Sequence, residues 1–254
     1  MSLPVYIIGD NPVVNPGLTE ILFTDPYFNV VVPDIPPLLN SAVSQDFSAK
    51  YRIESYRILW ALSDAKTRFP NLPVLIVKDT SVSNAASPTI ADVTRTAINN
   101  NSFELCYLCK WLDKCQLYTE KVIPSGTTTT IAKTQSPQGV QAIVFSPHGR
   151  DVILGIVPMK NGQFFTIDQP LGQELNTEIF NGNISARCII PNLIDFNINL
   201  ATSNEDFLKT QECSQVVIPQ TSQGSYSYLI FILIVIAVFI VAWAAIKLGM
   251  KPSS

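Results

Sequence analysis

The chain has 254 residues, with 17 Lys and Arg against 20 Asp and Glu, a net charge of −3 and only 15% charged residues, against about 25% in ordinary domains. With no basic patch or stripe to neutralise phosphates, nucleic acid is not an expected partner. Five irregularly spaced cysteines and a single histidine argue against a disulfide scaffold and for thiols in a reducing compartment.

In chain order, apolar runs alternate with helical patterns. VYII at Val5 to Ile8 reads as a strand closed by Gly9-Asp10, and FNVVV at Phe28 to Val32 as a second, ended by the proline-rich VPDIPPLL. From Ser48 to Phe69, Ile53, Tyr56, Leu59, Trp60 and Leu62 recur at helical spacing, and Pro70 and Pro73 stop the pattern. LPVLIVKD at Leu72 to Asp79 is continuously apolar, as a strand buried on both faces of a parallel sheet would be. Ser87-Pro88 predicts a helix start, with Ile90, Val93, Ala97 and Ile98 as the inner stripe.

FELCYL at Phe103 to Leu108 is a further strand; KWLDKCQLYTEK then runs into SGTTTT, expected to be a loop. VQAIVF at Val140 to Phe145 is a strand, Ser146-Pro147 caps the helix HGRDVILG, and Gly155 is expected to end it in a left-handed turn. Leu171 to Phe180 is a short helix before the Asn181-Gly182 turn and the strand ISARCII. This order predicts a three-layer α/β domain with a mostly parallel sheet over residues 1–208. Its surface, rich in Ser, Thr, Asn and Gln, suits assembly as readily as it reflects drift in composition. Of the cysteines, Cys106 and Cys109 form a C-x-x-C without a second ligand pair, so alternation on a strand explains them better than zinc or redox chemistry.

Residues 209–227 are a polar linker, about 25 Å end to end if it behaves as a random coil. The eighteen residues from Leu229 to Ile246 carry no charge, amide, proline or glycine, and at 1.5 Å per residue they extend about 27 Å, close to the hydrocarbon thickness of a bilayer. Residues 228–247 are therefore read as a transmembrane helix, with Leu229, Phe231, Ile236, Phe239, Trp243 and Ile246 in the anchor and 248–254 as a short tail. Tyr226, Tyr228, Trp243 and Lys247 fall where interfacial side chains belong. No signal peptide is read in MSLPVYIIGD, so the domain is expected on the cytosolic side, although Lys247 and Lys251 favour the opposite orientation. The sequons at Asn100 and Asn183 matter only for a lumenal domain.

Ligands of open α/β sheets sit beyond the carboxyl ends of the strands. The candidates there are Gly9 and Asp10, Asp79, and Asp168. Each aspartate is also a natural strand-end or turn residue. His148, in the first turn of a predicted helix, is expected to be solvated. Without G-x-S-x-G, a P-loop or G-x-G-x-x-G, the hydrolase, NTPase and dinucleotide readings lack their parts.

The blocks VYIIGD, LPVLIVKD, VQAIVFSPHGRDVILG, IDQPLGQEL and NGNISARCIIPNL resemble the glycosyltransferase family 25 pattern, in scattered stretches mainly between Val74 and Leu193. The resemblance implies a GT-A fold, a nucleotide-sugar donor and a divalent metal. Where the family has consecutive acids, this chain has Lys78, Asp79 and Thr80; a lysine in the first place repels a metal, so the resemblance implies a kept fold and a lost metal site. The KD strand end, FELCYLCKWLDKCQLY, the FSPHGRD block and the C-terminal apolar helix together resemble virion proteins of large double-stranded DNA viruses, whose shell encloses a membrane. That resemblance implies a minor capsid or virion membrane protein with no cofactor, the N-terminal domain facing the capsid, and the lipid bilayer and other capsid or membrane proteins as partners. The alternatives are an active membrane-anchored glycosyltransferase, with Asp79 and Asp168 as metal or base residues and Gly9 and Asp10 beside the nucleotide, and a membrane scaffold unrelated to virions.

Overall fold

A computed structural model describes residues 2–9, 16–32, 35, 47–99, 103–110, 113, 117–124, 127–157, 159–160, 164–165 and 170–196, all within the unit Met1–Val216. The expected anchor, the linker, Asp10 and Asp168 lie outside the described residues. Among the described residues, no helix is long and apolar enough to cross a membrane.

In chain order the elements are β1 (Leu3–Ile8), α1 (Pro16–Thr24), β2 (Phe28–Val31), α2 (Phe47–Arg68), β3 (Val74–Lys78), β4 (Ser81–Ser83), α3 (Ser87–Asn99), β5 (Leu105–Cys109), β6 (Thr119–Val122), β7 (Thr130–Thr134), β8 (Ala142–Phe145), α4 (Pro147–Ile156), β9 (Met159–Lys160), β10 (Phe164–Phe165), α5 (Leu171–Phe180), β11 (Ala186–Ile190) and β12 (Ile194–Phe196). Eight strands form one sheet in the order β2-β1-β3-β8-β5-β11-β7-β6; β9 with β10 and β4 with β12 make two small antiparallel ribbons. In the large sheet β1 pairs parallel with β2 and β3, and β5 parallel with β11. β8 is antiparallel to both β3 and β5, and β7 to both β11 and β6. Six of the eight strands thus run one way, as expected of a mostly parallel sheet, and β8 and β7 run against them.

Alternation along the strands divides the core into two layers. Tyr6, Ile8, Val74, Ile76, Ile143 and Phe145 pack with Leu59 and Leu62 of α2, Ile153 of α4 and Leu175 of α5. Val5, Ile7, Leu75, Val77, Ala142 and Val144 pack on the other face with Leu18 and Leu22 of α1 and Ile90 and Val93 of α3. Helices on both faces of a sheet buried on both sides make three layers, the arrangement that continuously apolar strands require.

One local expectation needs correction, and two features were not foreseen. Helix α4 does start at the Ser146 cap, whose Oγ accepts the Gly149 N–H at 2.9 Å. It does not end at Gly155: the helix continues to Ile156, and Val157 closes it with φ −114° and its N–H on Ile153 O. The described part of SGTTTT is loop as far as Thr129, and on either side of it Thr119 to Val122 and Thr130 to Thr134 pair as β6 and β7 at the sheet edge, a hairpin not read from the sequence. The strand VQAIVF lies between parallel neighbours but runs against them.

Arg150, 1% exposed, fastens α4 to the end of α2. Its Nη1 donates to Ala65 O at 3.3 Å and Phe69 O at 3.1 Å, and its Nη2 donates to Pro70 O at 2.7 Å. The last carbonyls of a helix have no partner within it and carry its negative dipole end, so a guanidinium fork serves both needs. Arg150→Met should destabilise the full chain by about 2 kcal/mol, since three hydrogen bonds from a buried charged donor are lost while Ala65 O and Phe69 O keep the N–H groups of Phe69 and Leu72. Arg150→Lys should recover only part of this, because one ammonium cannot span three acceptors. Urea unfolding followed by tryptophan fluorescence measures both variants.

Candidate functional site

The parallel strands β1, β3, β5 and β11 bring their carboxyl ends to one edge, and the antiparallel β8 brings its start to the same edge. The turn after β1 and the turn after β3 meet there: the Asp79 N–H donates to Ile8 O at 2.8 Å. Gly9 lies against the Asp79 carboxyl so closely that a Cβ on Gly9 would fall 1.8 Å from Asp79 Cγ. The structure therefore joins two of the predicted site residues, Gly9 and Asp79, and the need for glycine at position 9 is the room the carboxyl takes.

Lys78 is 8% exposed, and its Nζ lies 2.8 Å from Oε2 of Glu54 on α2. Beside it the Lys78 N–H donates to Gln141 O at 2.9 Å. The fully buried Gln141 side chain donates from Nε2 to Thr80 Oγ1 at 3.0 Å and to Ser81 Oγ at 2.9 Å. One strand further along, Lys110 and Asn192 are each 3% exposed. Asn192 Nδ2 donates to Lys110 O at 3.1 Å, and its Oδ1 accepts the Lys110 N–H at 3.4 Å. This edge is a buried polar row, Lys78, Gln141, Lys110 and Asn192, contributed by four adjacent strand ends.

Such a row does not fit a divalent cation. Hard cations take several oxygen ligands, carboxylates foremost, whereas the described edge presents the Asp79 carboxyl packed against Gly9 and the Lys78 ammonium paired with Glu54. Among the described residues, no group of three His, Cys, Asp or Glu side chains is placed to hold a metal. Cys106 and Cys109 pack with Leu108 in the core beneath α1 and α3, where a register shift after Tyr107 turns two consecutive side chains to one face. Burial raises the Cys106 thiol above its usual range and pushes the Cys188 thiol up to about 12, so both are inert thiols rather than thiolates.

The opposite edge holds a second polar group around an open cavity of about 510 Å³. His148, its side chain 75% exposed as expected of a solvated histidine, lies with Nδ1 3.4 Å from Glu104 Oε1; the Ser185 N–H and hydroxyl both donate to Glu104 Oε2. Across the cavity, Arg187 and Lys133 face each other on β11 and β7, and Glu120 bridges the two cations, 2.8 Å from Arg187 Nη2 and 3.1 Å from Lys133 Nζ. Like charges directly opposite on neighbouring strands repel, and the bridging carboxylate offsets this. Glu120 holds the bridge from a backbone φ of 48°, in the left-handed region. Neither edge strand β6 nor its carboxylate was legible in the sequence, where TEK has no apolar rhythm.

Two outcomes follow. Gly9→Ala should cost at least about 2 kcal/mol, the scale of overpacking a filled site, to which the positive φ of 157° adds backbone strain, and an Asp79→Ala background should recover the overpacking part but not the strain. A double-mutant cycle by urea unfolding reads the coupling. The Lys133 hydrogen bond, with help from Lys133 and Arg187 charge, holds the Glu120 carboxyl below its ordinary 4.5. A carboxyl lowered on folding adds stability above its unfolded value and loses it as pH falls through its folded one. Thermal unfolding of Glu120→Gln should therefore match that of the wild type more closely as pH drops below about 4.3, with the difference widest near neutrality.

In comparison with known proteins, the chain matches no family model, and no curated protein sequence matches it.

Proposed function

We propose that this chain is a tail-anchored interaction protein. In this reading its GT-A-like α/β domain has lost catalytic function, and the Leu229 to Ile246 helix fastens it to the internal membrane of a large DNA virus, beneath the capsid shell. The observation that carries the reading is the closed Lys78–Glu54 pair at the end of β3, 2.8 Å apart and largely buried. A transferase using a metal-bound nucleotide diphosphate needs acids free to take the metal at that strand end. Here the residue before Asp79 is a lysine whose ammonium is already neutralised within the fold, so that position offers a metal no acid. The polar, nearly uncharged surface then serves contact: other capsid or membrane proteins can dock on it with a small desolvation cost. The cytosolic orientation lets a membrane taken from its cytosolic face present the domain to the shell.

Three measurements test this. The full chain in detergent, given manganese and a panel of nucleotide-diphosphate sugars, should release no nucleotide above background; turnover that disappears in Asp79→Ala would establish the active transferase instead. The full chain should float with liposomes and a chain lacking residues 229–246 should stay in the soluble fraction, whereas flotation of both would remove the anchor. Asn183, exposed in the turn after α5, opens an Asn-Ile-Ser sequon and should stay unmodified when the chain is made with endoplasmic-reticulum membranes. A glycan there would place the domain on the lumenal side.

A further inference from the structure

The cavity that Glu104, Glu120, Lys133 and Arg187 line together has a charge pattern that the anchoring role leaves unused. Its ionised side chains form two groups. In the first, Arg187 and Lys133 share the single carboxylate of Glu120, so one positive charge is left over. In the second, Glu104 Oε2 accepts two neutral donors from Ser185, while Oε1 has only His148 Nδ1 at 3.4 Å, longer than a good hydrogen bond. The His148 side chain is largely in water, which screens the contact so far that it offsets little of the carboxylate's charge. Among the described residues, neither Arg187 nor Lys133 is paired with Glu104, so one negative charge is left over on that side.

The carboxylate that bridges the two cations is the least firmly held part of the site. Arg187 is buried in the sheet, whereas Glu120 reaches it from the edge strand β6, where the register shifts between Thr119 and Val122. The Glu120 side chain is half exposed, and its left-handed φ of 48° is unfavourable for a residue with a Cβ. A ligand carboxylate can therefore take the Arg187 fork and the Lys133 ammonium while Glu120 turns out to water; one anion replaces another, and the planar fork matches both carboxylate oxygens. At about 510 Å³ the cavity has the size of a small-molecule site. Its two charges call for opposite ends on one molecule, a carboxylate for Arg187 and Lys133 and an ammonium for Glu104 Oε1. Phe103 and Ala186, both buried, add carbon to the lining for the methylene groups between those ends.

We propose that this cavity binds a small zwitterion of the amino-acid class, its carboxylate on Arg187 and Lys133 in place of Glu120 and its ammonium on Glu104. The site goes beyond the anchoring role and does not depend on it: a zwitterion bound or refused here leaves membrane attachment as it is.

The test titrates the full chain in neutral detergent at low salt with glycine, γ-aminobutyrate and ε-aminocaproate, and with acetate, butyrate and caproate as their counterparts without the amine, followed by calorimetry. At least one zwitterion should bind about tenfold or more tightly than its counterpart, the scale of one charge-assisted hydrogen bond. Glu104→Gln keeps an oxygen for Ser185 but loses the charge, and should bring the two members of that pair to within about twofold of each other. Lys133→Met, at a half-exposed position where the fold tolerates the change, should weaken the zwitterion about tenfold. Glu120→Gln removes the competing anion and should tighten it. No binding of any of the three zwitterions, equal binding of each zwitterion and its counterpart, binding unchanged in both Glu104→Gln and Lys133→Met, or weaker binding in Glu120→Gln would each overturn the site.

Discussion

The fold depends on one strand running the wrong way. β8 lies between β3 and β5, antiparallel to both and buried along its whole length, and without it the parallel groups β2-β1-β3 and β5-β11 would share no ladder. The residues on either side extend that role. Before the strand, Gln141 holds the turn after β3 through Thr80 and Ser81. After it, the Ser146 N–H donates to Glu104 O, and Gly149 comes so near the Glu104 backbone that a Cβ would sit 2.3 Å from its carbonyl oxygen. Arg150 then enters the end of α2. Ten consecutive residues, 141 to 150, thus tie both halves of the sheet and the helical layer above it.

Where periodicity and caps were strong, the fold was legible. Apolar runs gave β1, β2, β3, β5, β8 and β11, helical spacing gave α2 and α3, and the Ser146-Pro147 cap and the Leu171 to Phe180 helix coincide with what forms. Direction was not legible, because a strand buried on both faces has the same composition whichever way it runs. The β6–β7 hairpin was missed because an edge strand facing solvent needs no apolar alternation: the four residues of β6 are mostly exposed, and the short β7 is announced only by Ile131 and Ala132. Gly155 misled for a related reason. A glycine permits a left-handed stop but does not impose one, and this one sits in open space inside the last turn of α4.

The candidate site was legible at its first residue and illegible in its chemistry. Asp79 and Gly9 were marked by position alone, since both end buried strands. That Lys78 meets Glu54 could not be read, because the partners are 24 residues apart (78 − 54) and meet only when α2 packs over β3. The state of Lys110 is harder still. A lysine after LCYLC looks like an ordinary charged strand end, and only the fold reveals that it is buried with an amide oxygen, and among the described residues no acid, within reach of its ammonium.

The two lysines differ in how far their burial is repaid, and the edge takes its character from both. A buried ion pair such as Lys78–Glu54 is close to neutral for stability once desolvation is counted, so its main effect is to hold a positive group where a metal-binding edge would need a negative one. Lys110 differs: among the described residues no carboxylate lies at ion-pairing distance, and its ammonium has Asn192 Oδ1 at 3.5 Å, so less of its desolvation is repaid than for Lys78. Among the described residues, the carboxyl edge thus presents one ammonium neutralised by Glu54 and one held against an amide, where the resemblance to sugar transferases leads one to expect acids.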